Sequence, residues 1–152
     1  MINEGLKFKG HWTIEIREQG KVVRTIDIDN QLTNLYKQSV LNQLNGASFD
    51  DLEIKYLAVG TGDTPASASD TQLEDEQFRQ IPTTKQLFAD YEQTIWVIPT
   101  NLGNFTYKEI GVFAGNATST ADSGMLLSRI NVNIEKTSSM EVTFIRRDYV
   151  TI

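Results

Sequence analysis

Side chains equipped for acid–base, nucleophilic or metal chemistry are few in this chain, and their spacing suits none of those reactions. There is no cysteine, which removes disulfide frameworks, thiolate zinc sites and cysteine nucleophiles together. The one histidine, His11, stands just before the first apolar strand positions. Without a second histidine it belongs to no His-rich metal site, and a general base needs a positioned partner that the sequence does not name. Gly60-Thr61-Gly62 lacks the Lys-Ser/Thr of a P-loop and a third glycine opening a helix. It reads instead as a turn at a strand end, with glycine supplying positive φ. Asp70, Glu74, Asp75 and Glu76 do not alternate around a central glycine as an EF-hand loop requires, so they read as a solvated acidic face. With 20 acidic residues some carboxylate pair is always at hand, and no glycosidase pair stands out. There is no Gly-x-Ser-x-Gly elbow. Asn104-Phe105-Thr106 and Asn116-Ala117-Thr118 match the glycosylation pattern by coincidence. The expectation is a protein that is not an enzyme, with no catalytic, cofactor-binding or metal residues and no cofactor.

Composition narrows the partners. A chain of 152 residues suits one domain, 1–152, with a sizeable core. The formal net charge is −6 and the only adjacent basic pair is Arg146-Arg147, read as a strand end or salt-bridge partner. Phosphate recognition draws on clustered Lys and Arg, so no nucleic acid is expected. No apolar run approaches the roughly 20 residues of a membrane span, and the opening Met1–Gly5 lacks the pattern of a signal peptide. Neither membrane insertion nor export is expected.

The elements that must carry these residues are mostly strands. Trp12, Ile14 and Ile16 alternate with polar residues, Gln19-Gly20 marks a turn, and Val22, Ile26 and Ile28 return, which predicts a hairpin. Leu32, Tyr36, Val40 and Leu44 recur every four residues, widened by Leu35 and Leu41, and predict one main helix over about 31–45. Asn30 is its expected N-cap and Gly46 its C′ residue. A strand is expected over 52–59. The Thr-x-x-Glu box Thr71–Glu74 predicts a short helical turn near 71–76 with Leu73 pointing inward. Further strands are expected over about 79–89, 91–99, 105–114, 125–135 and 139–150. Ile95-Trp96-Val97-Ile98 is apolar on both faces and predicts a central, covered strand. Leu126, Ile130, Val132 and Ile134 share one parity. Residues 60–70 and 115–124 read as exposed loops and as contact surface. The fold class is therefore α+β and β-dominated, an antiparallel β-sandwich-like domain.

Several segments, in order, resemble the N-terminal domain of phage tail-collar and tail-fibre proteins. They are Gln31-Leu32-Thr33-Asn34, Tyr56-Leu57-Ala58-Val59-Gly60-Thr61-Gly62, Pro65 with Asp70–Glu76 and Phe78-Arg79, Tyr107–Phe113 with its Glu-Ile-Gly-Val-Phe string, and Met125–Arg129. The matching stretch runs from about Gln31 to Ile134. The hairpin around Trp12 precedes the family's usual starting motif, and no long fibrous region follows, so the resemblance implies a stand-alone tail, baseplate, collar or adaptor subunit. It implies a structural virion protein, assembled in the host bacterial cytoplasm and located in the tail. Its partners would be its own copies, with a homotrimer favoured, and other tail or baseplate proteins. The rival reading is a host-attachment module that binds a surface glycan. Trp12, Tyr91, Trp96 and Tyr107 could offer faces to sugar rings, although aromatics in β-rich domains mostly fill cores. Glu109, set among apolar neighbours, needs a partner if buried, and Arg79 is the expected one. Gly111 beside Phe113 is expected at a bulge or a close backbone approach.

Overall fold

The structure, a computed structural model, describes residues 5–47 and 51–152. The chain is 52% strand and 8% helix, with two antiparallel sheets and one helix among the described residues. The elements are β1 (Lys7–Glu18), β2 (Lys21–Asp29), α1 (Asn34–Asn45), β3 (Tyr56–Gly60), β4 (Glu76–Gln80), β5 (Thr84–Leu87), β6 (Tyr91–Ile98), β7 (Thr106–Ala114), β8 (Met125–Glu135) and β9 (Met140–Thr151). A five-stranded sheet runs β2-β1-β9-β6-β5, and a four-stranded sheet runs β4-β3-β7-β8. Their facing sides make the sandwich core. Trp12, Ile14, Trp96 and Phe144 from the first sheet meet Leu57, Val59, Ile110, Val112 and Ile130 from the second.

The first hairpin follows its sequence closely. Trp12, Ile14 and Ile16 are buried, as a period of two against one core requires. Gln19 and Gly20 take φ of 51° and 78°, the two positive angles of a turn whose twist matches the strands it joins. Ile95-Trp96-Val97-Ile98 lies one strand in from the edge of its sheet. Trp96 and Ile98 are fully buried while Ile95 and Val97 are half-buried on the outer face. The strand expected over 79–89 is two strands in different sheets. Ile81-Pro82 separates them, because the missing proline N–H breaks the ladder and lets the chain cross from β4 to β5.

The helix begins three residues later than its periodicity predicts. Gln31–Thr33 instead runs extended along the edge of β8. The Arg129 N–H donates to the Gln31 carbonyl at 3.2 Å and the Thr33 N–H to the Leu127 carbonyl at 3.0 Å. Thr33, not Asn30, is the N-cap: its hydroxyl accepts from the Tyr36 N–H at 3.2 Å and donates to the Leu126 carbonyl at 2.6 Å. Asn30 accepts from the Trp12 indole N–H at 3.1 Å. Gly46 ends the helix in the left-handed conformation, as expected. The apolar stripe sinks into the core in part, with Tyr36 packed against the sandwich. Ser39 is the buried helical residue, whereas Leu41 and Leu44 are exposed.

Two further expectations are corrected. Residues 71–75 form no helical turn, since their backbone amides are drawn to a carboxylate on β7, as described below, and cannot close a turn on themselves. Leu73 does point inward and is 1% exposed. The shared parity of β8 is broken by a bulge opposite Val112 and Phe113, which places Leu126 on the outer face while Ile130 and Ile134 remain in the core.

Replacing Thr33 by Ala removes a cap and leaves a buried carbonyl on β8 without its donor. Urea denaturation should show a loss of about 1–2 kcal/mol, and Thr33→Ser should recover most of it. Tyr107 is fully buried and donates to the Gly103 carbonyl at 2.6 Å. Burial pushes its phenol well above the ordinary value of 10.0. A raised acid pKa stabilises the fold fully below the unfolded value and loses that contribution as pH rises, so stability should fall above about pH 10. The alkaline slope should flatten in Tyr107→Phe.

Candidate functional site

The densest polar cluster lies on the outer face of the four-stranded sheet, beneath the segment from Thr61 to Asp75. At its centre is Glu109 on β7, fully buried. One carboxylate oxygen accepts from the Glu74 N–H at 2.7 Å and from Arg129 Nε at 2.9 Å. The other accepts from the Gly62 N–H at 2.7 Å and the Asp75 N–H at 2.8 Å. Arg129, on the neighbouring strand β8, is 2% exposed. Its remaining nitrogens reach the Thr64 carbonyl at 2.8 Å and Asp70 at 3.2 Å. A desolvated carboxylate is tolerable only when its lone pairs are met in this way. The hub therefore fastens both ends of a long loop to the sheet.

Arg79 is not the partner of Glu109. It faces Glu76 through two hydrogen bonds, at 2.6 and 2.8 Å, and its guanidinium lies 4.6 Å from the Phe113 ring centroid and 5.2 Å from that of Tyr56. It also donates to the Thr118 carbonyl at 2.7 Å and to the Ser123 hydroxyl at 3.0 Å, holding the 115–124 loop. The reason is topological. β8 neighbours β7 directly, while β4 is separated from β7 by β3. Arg129 was overlooked in the sequence, yet a charged residue inside the apolar run Met125-Leu126-Leu127-Ser128-Arg129-Ile130 signals a buried partner.

The glycines around the hub are required by space. Gly60 and Gly62 are absent from the positive-φ residues, contrary to the turn reading. A Cβ at Gly60 would strike the Asp75 carbonyl, and one at Gly62 would strike Glu74 and the Glu109 carboxylate. At Gly111 a Cβ would come within 2.7 Å of Leu73 Cδ2 and 3.0 Å of Leu126 Cδ1. Leu73, Ala58, Phe113 and Leu126 thus form a second small core outside the sandwich. The expected close approach at Gly111 and a nearby bulge are both present.

The four acids read as a solvated face are ties for the loop. Asp70 accepts from the Ser67 N–H at 2.9 Å and Glu74 from the Thr64 N–H at 2.9 Å. Asp75 accepts from the Thr61 hydroxyl at 2.5 Å. Glu74 is held below the ordinary carboxylate range, first by its hydrogen bonds to Thr64. Among the described residues no three His, Asp or Glu side chains are gathered to hold a metal ion.

His11 sits far from this hub, on the outer face of the five-stranded sheet. Its Nδ1 is 3.1 Å from Asp29 and its Nε2 3.2 Å from Asp27, so the ring bridges the two carboxylates. Thr13, then His11, holds Asp27 below the usual range, and His11, then Lys9, does so for Asp29. With the Thr13 hydroxyl, which donates to Asp27 at 2.8 Å, these side chains form a cross-strand tie. Arg146 is buried, bonds Asp148 at 2.7–3.0 Å and the Ser128 hydroxyl, and lies 5.5 Å from the Trp12 ring centroid. Arg147 donates to Gln93 at 2.9 Å.

An open cleft of about 620 Å³ lies between Tyr36, residues 52–54 and the β5–β6 hairpin. Its floor carries Glu92 and Asp148, register partners on β6 and β9. Burial pushes the Glu92 carboxyl up, against the Thr94 hydroxyl that bonds both its oxygens at 2.8 Å. Of the four aromatics named for sugar binding, Trp12, Trp96 and Tyr107 are fully buried in the core. Tyr91 reaches the cleft, with Phe88 stacked on it at 4.6 Å.

Comparison with protein-family models, curated proteins and solved structures returns no match.

The residues gathered at the hub can position a loop rigidly. Glu109 and Arg129 hydrogen-bond each other and the loop's backbone. Glu109→Ala should lower unfolding free energy by about 3–5 kcal/mol, because it strands Arg129 Nε and three amides without an acceptor and leaves the guanidinium without its buried counter-charge. A double-mutant cycle separates the packing. Gly111→Ala should cost about 1–3 kcal/mol by overpacking. In a Leu73→Ala background the added methyl meets space, and the penalty should shrink by more than about 0.5 kcal/mol.

Proposed function

We propose that the chain is a structural subunit of a bacteriophage tail or a related particle, acting by self-assembly and by docking to other tail or baseplate proteins, without catalysis. The observation that carries this reading is the hub. The strings Gly60–Gly62, Asp70–Glu76, Phe78-Arg79, Glu109–Phe113 and Met125–Arg129, which carried the family resemblance, meet on one sheet face. Each does scaffold work there: accepting loop amides, yielding space to Leu73, or clamping the 115–124 loop. Strand edges and exposed leucines elsewhere supply surface for neighbours. No helix among the described residues is long and apolar enough to cross a membrane.

The host-attachment reading retains one supporting observation, the cleft with Tyr91, Phe88 and two carboxylates on its floor. Its aromatic argument loses the three rings that fill the core.

Sedimentation equilibrium of the purified protein tests the assembly reading. A subunit mass of 17.1 kDa should appear as a closed multiple, with three copies the size the resemblance implies. A monomer at about 0.1 mM, or turnover of cell-wall material, would overturn the proposal. Glycan binding lost on Tyr91→Ala would favour the attachment module instead.

A further inference from the structure

β2 lies at one edge of the five-stranded sheet, bonded to β1 on its inner side. Local opening starts at such edges, because half of the strand's backbone groups have no ladder partner. β2 is also poorly covered, with most of its residues exposed. Side chains add to its hold. Arg24 donates to the Asn133 carbonyl of β8 at 3.3 Å. The cluster around His11 ties the other end of β2 to β1, and that cluster contains the chain's sole histidine.

The register places His11 opposite Asp29 and Thr13 opposite Asp27, so one face of the hairpin gathers all four. Both ring nitrogens of His11 point at carboxylate oxygens, Nδ1 at Asp29 and Nε2 at Asp27. A neutral imidazole has one N–H and one lone pair, so one of the two contacts then sets a lone pair against an anion. A ring with two N–H groups donates to both. The other charged or titratable neighbours are Lys9, 4.0 Å from Asp29, and Arg147 and Tyr149 on β9, opposite His11 and Lys9 in register. Lys9 and Arg147 oppose a further positive charge, and Arg147 is itself bonded to Gln93 at 2.9 Å. The carboxylates each touch a ring nitrogen directly, and attraction at contact outweighs repulsion across a solvated face.

We propose that His11 is a proton-operated latch on the edge strand β2, drawn tight when both ring nitrogens carry a proton and loosened when one proton leaves. The latch is independent of the assembly reading. Histidine side chains change charge between about pH 5 and 8. The acid side of the window is set by the carboxylates. Thr13, then His11, holds Asp27 below the ordinary range, and His11, then Lys9, does so for Asp29. Both acids therefore stay ionised while the ring gains its second proton. The tie is complete in mild acid and loses one hydrogen bond as pH rises through neutrality.

Hydrogen exchange of the intact chain tests the latch, with rates corrected for intrinsic exchange at each pH. Protection of the β2 amides should fall between about pH 5.5 and about pH 7.5, on either side of the ordinary histidine value. The drop should be roughly two- to fivefold, the size of one exposed charge-assisted contact. Amides of β7, in the other sheet, should keep their protection and so separate local loosening from global unfolding. His11→Gln keeps an amide donor that does not titrate, and its β2 protection should be the same at both pH values. Asp29→Asn removes one of the two anions, and the drop should shrink. Equal β2 protection in the parent at both pH values would overturn the latch. So would a drop that persists in His11→Gln, or one shared equally by β2 and β7.

Discussion

A carboxylate taken wholly out of water has to be met by donors on every side, and Glu109 imposes that condition on β8 and on the loop from Gly62 to Asp75. Arg129 supplies one donor from the neighbouring strand, and the backbone of Gly62, Glu74 and Asp75 supplies the rest. Those amides arrive only if the intervening residues fold back over the sheet. The loop fits only if Gly60, Gly62 and Gly111 carry no Cβ. Once in place it lowers Leu73 onto Phe113 and Leu126, so the outer side of this sheet gains its own apolar layer. Breaking the charge pair would forfeit more than one ion pair's worth of energy, because the loop's amides and the leucine beneath it depend on the same anchor.

The same economy closes strand edges. The outer edge of β8 is capped by Gln31–Thr33, which then turns directly into α1 through the Thr33 cap. Arg79 on β4 ties down the 115–124 loop. In the other sheet β2 and β5 lie at the edges, and β5 leads into the exposed hairpin tip. One edge of the four-stranded sheet is therefore covered, and Leu41, Leu44 and Leu87 leave apolar surface on α1 and the hairpin tip.

Much of the sandwich was legible in the sequence because its signals are local. Trp12, Ile14 and Ile16 alternate without interruption, and Gln19-Gly20 and Gly46 sit where a turn and a helix end need positive φ. What escaped depends on partners distant in sequence. The Thr71–Glu74 box resembled a helix start, but its amides serve a carboxylate on β7. Arg79 looked like the natural partner of Glu109 by chain order, whereas strand order assigns Arg129. A single extra residue in β8 sent Leu126 to the opposite face from Ile130, which no parity count detects. The α1 stripe was read as apolar, and Tyr36 packs against the sandwich while Leu41 and Leu44 are exposed. Periodicity reports which residues share a face and does not report what covers it.

Glu92 and Asp148, cross-strand partners on β6 and β9, line the open cleft. Burial pushes the Glu92 carboxyl up, and Arg146 bonds Asp148. Neighbouring carboxylates are the raw material of acid–base pairs. Here, however, the Thr94 hydroxyl occupies both oxygens of Glu92, and Arg146 occupies both oxygens of Asp148 while bonding Ser128 across the sandwich. Freeing either carboxylate for a substrate would leave Arg146 or Thr94 without its partner at the centre of the fold. Arg146 thus links β9 to β8 across the two sheets, and the pair reads as one more tie between them. The charges of this protein are disposed to hold elements together, and apolar surface is left at Leu41, Leu44 and Leu87.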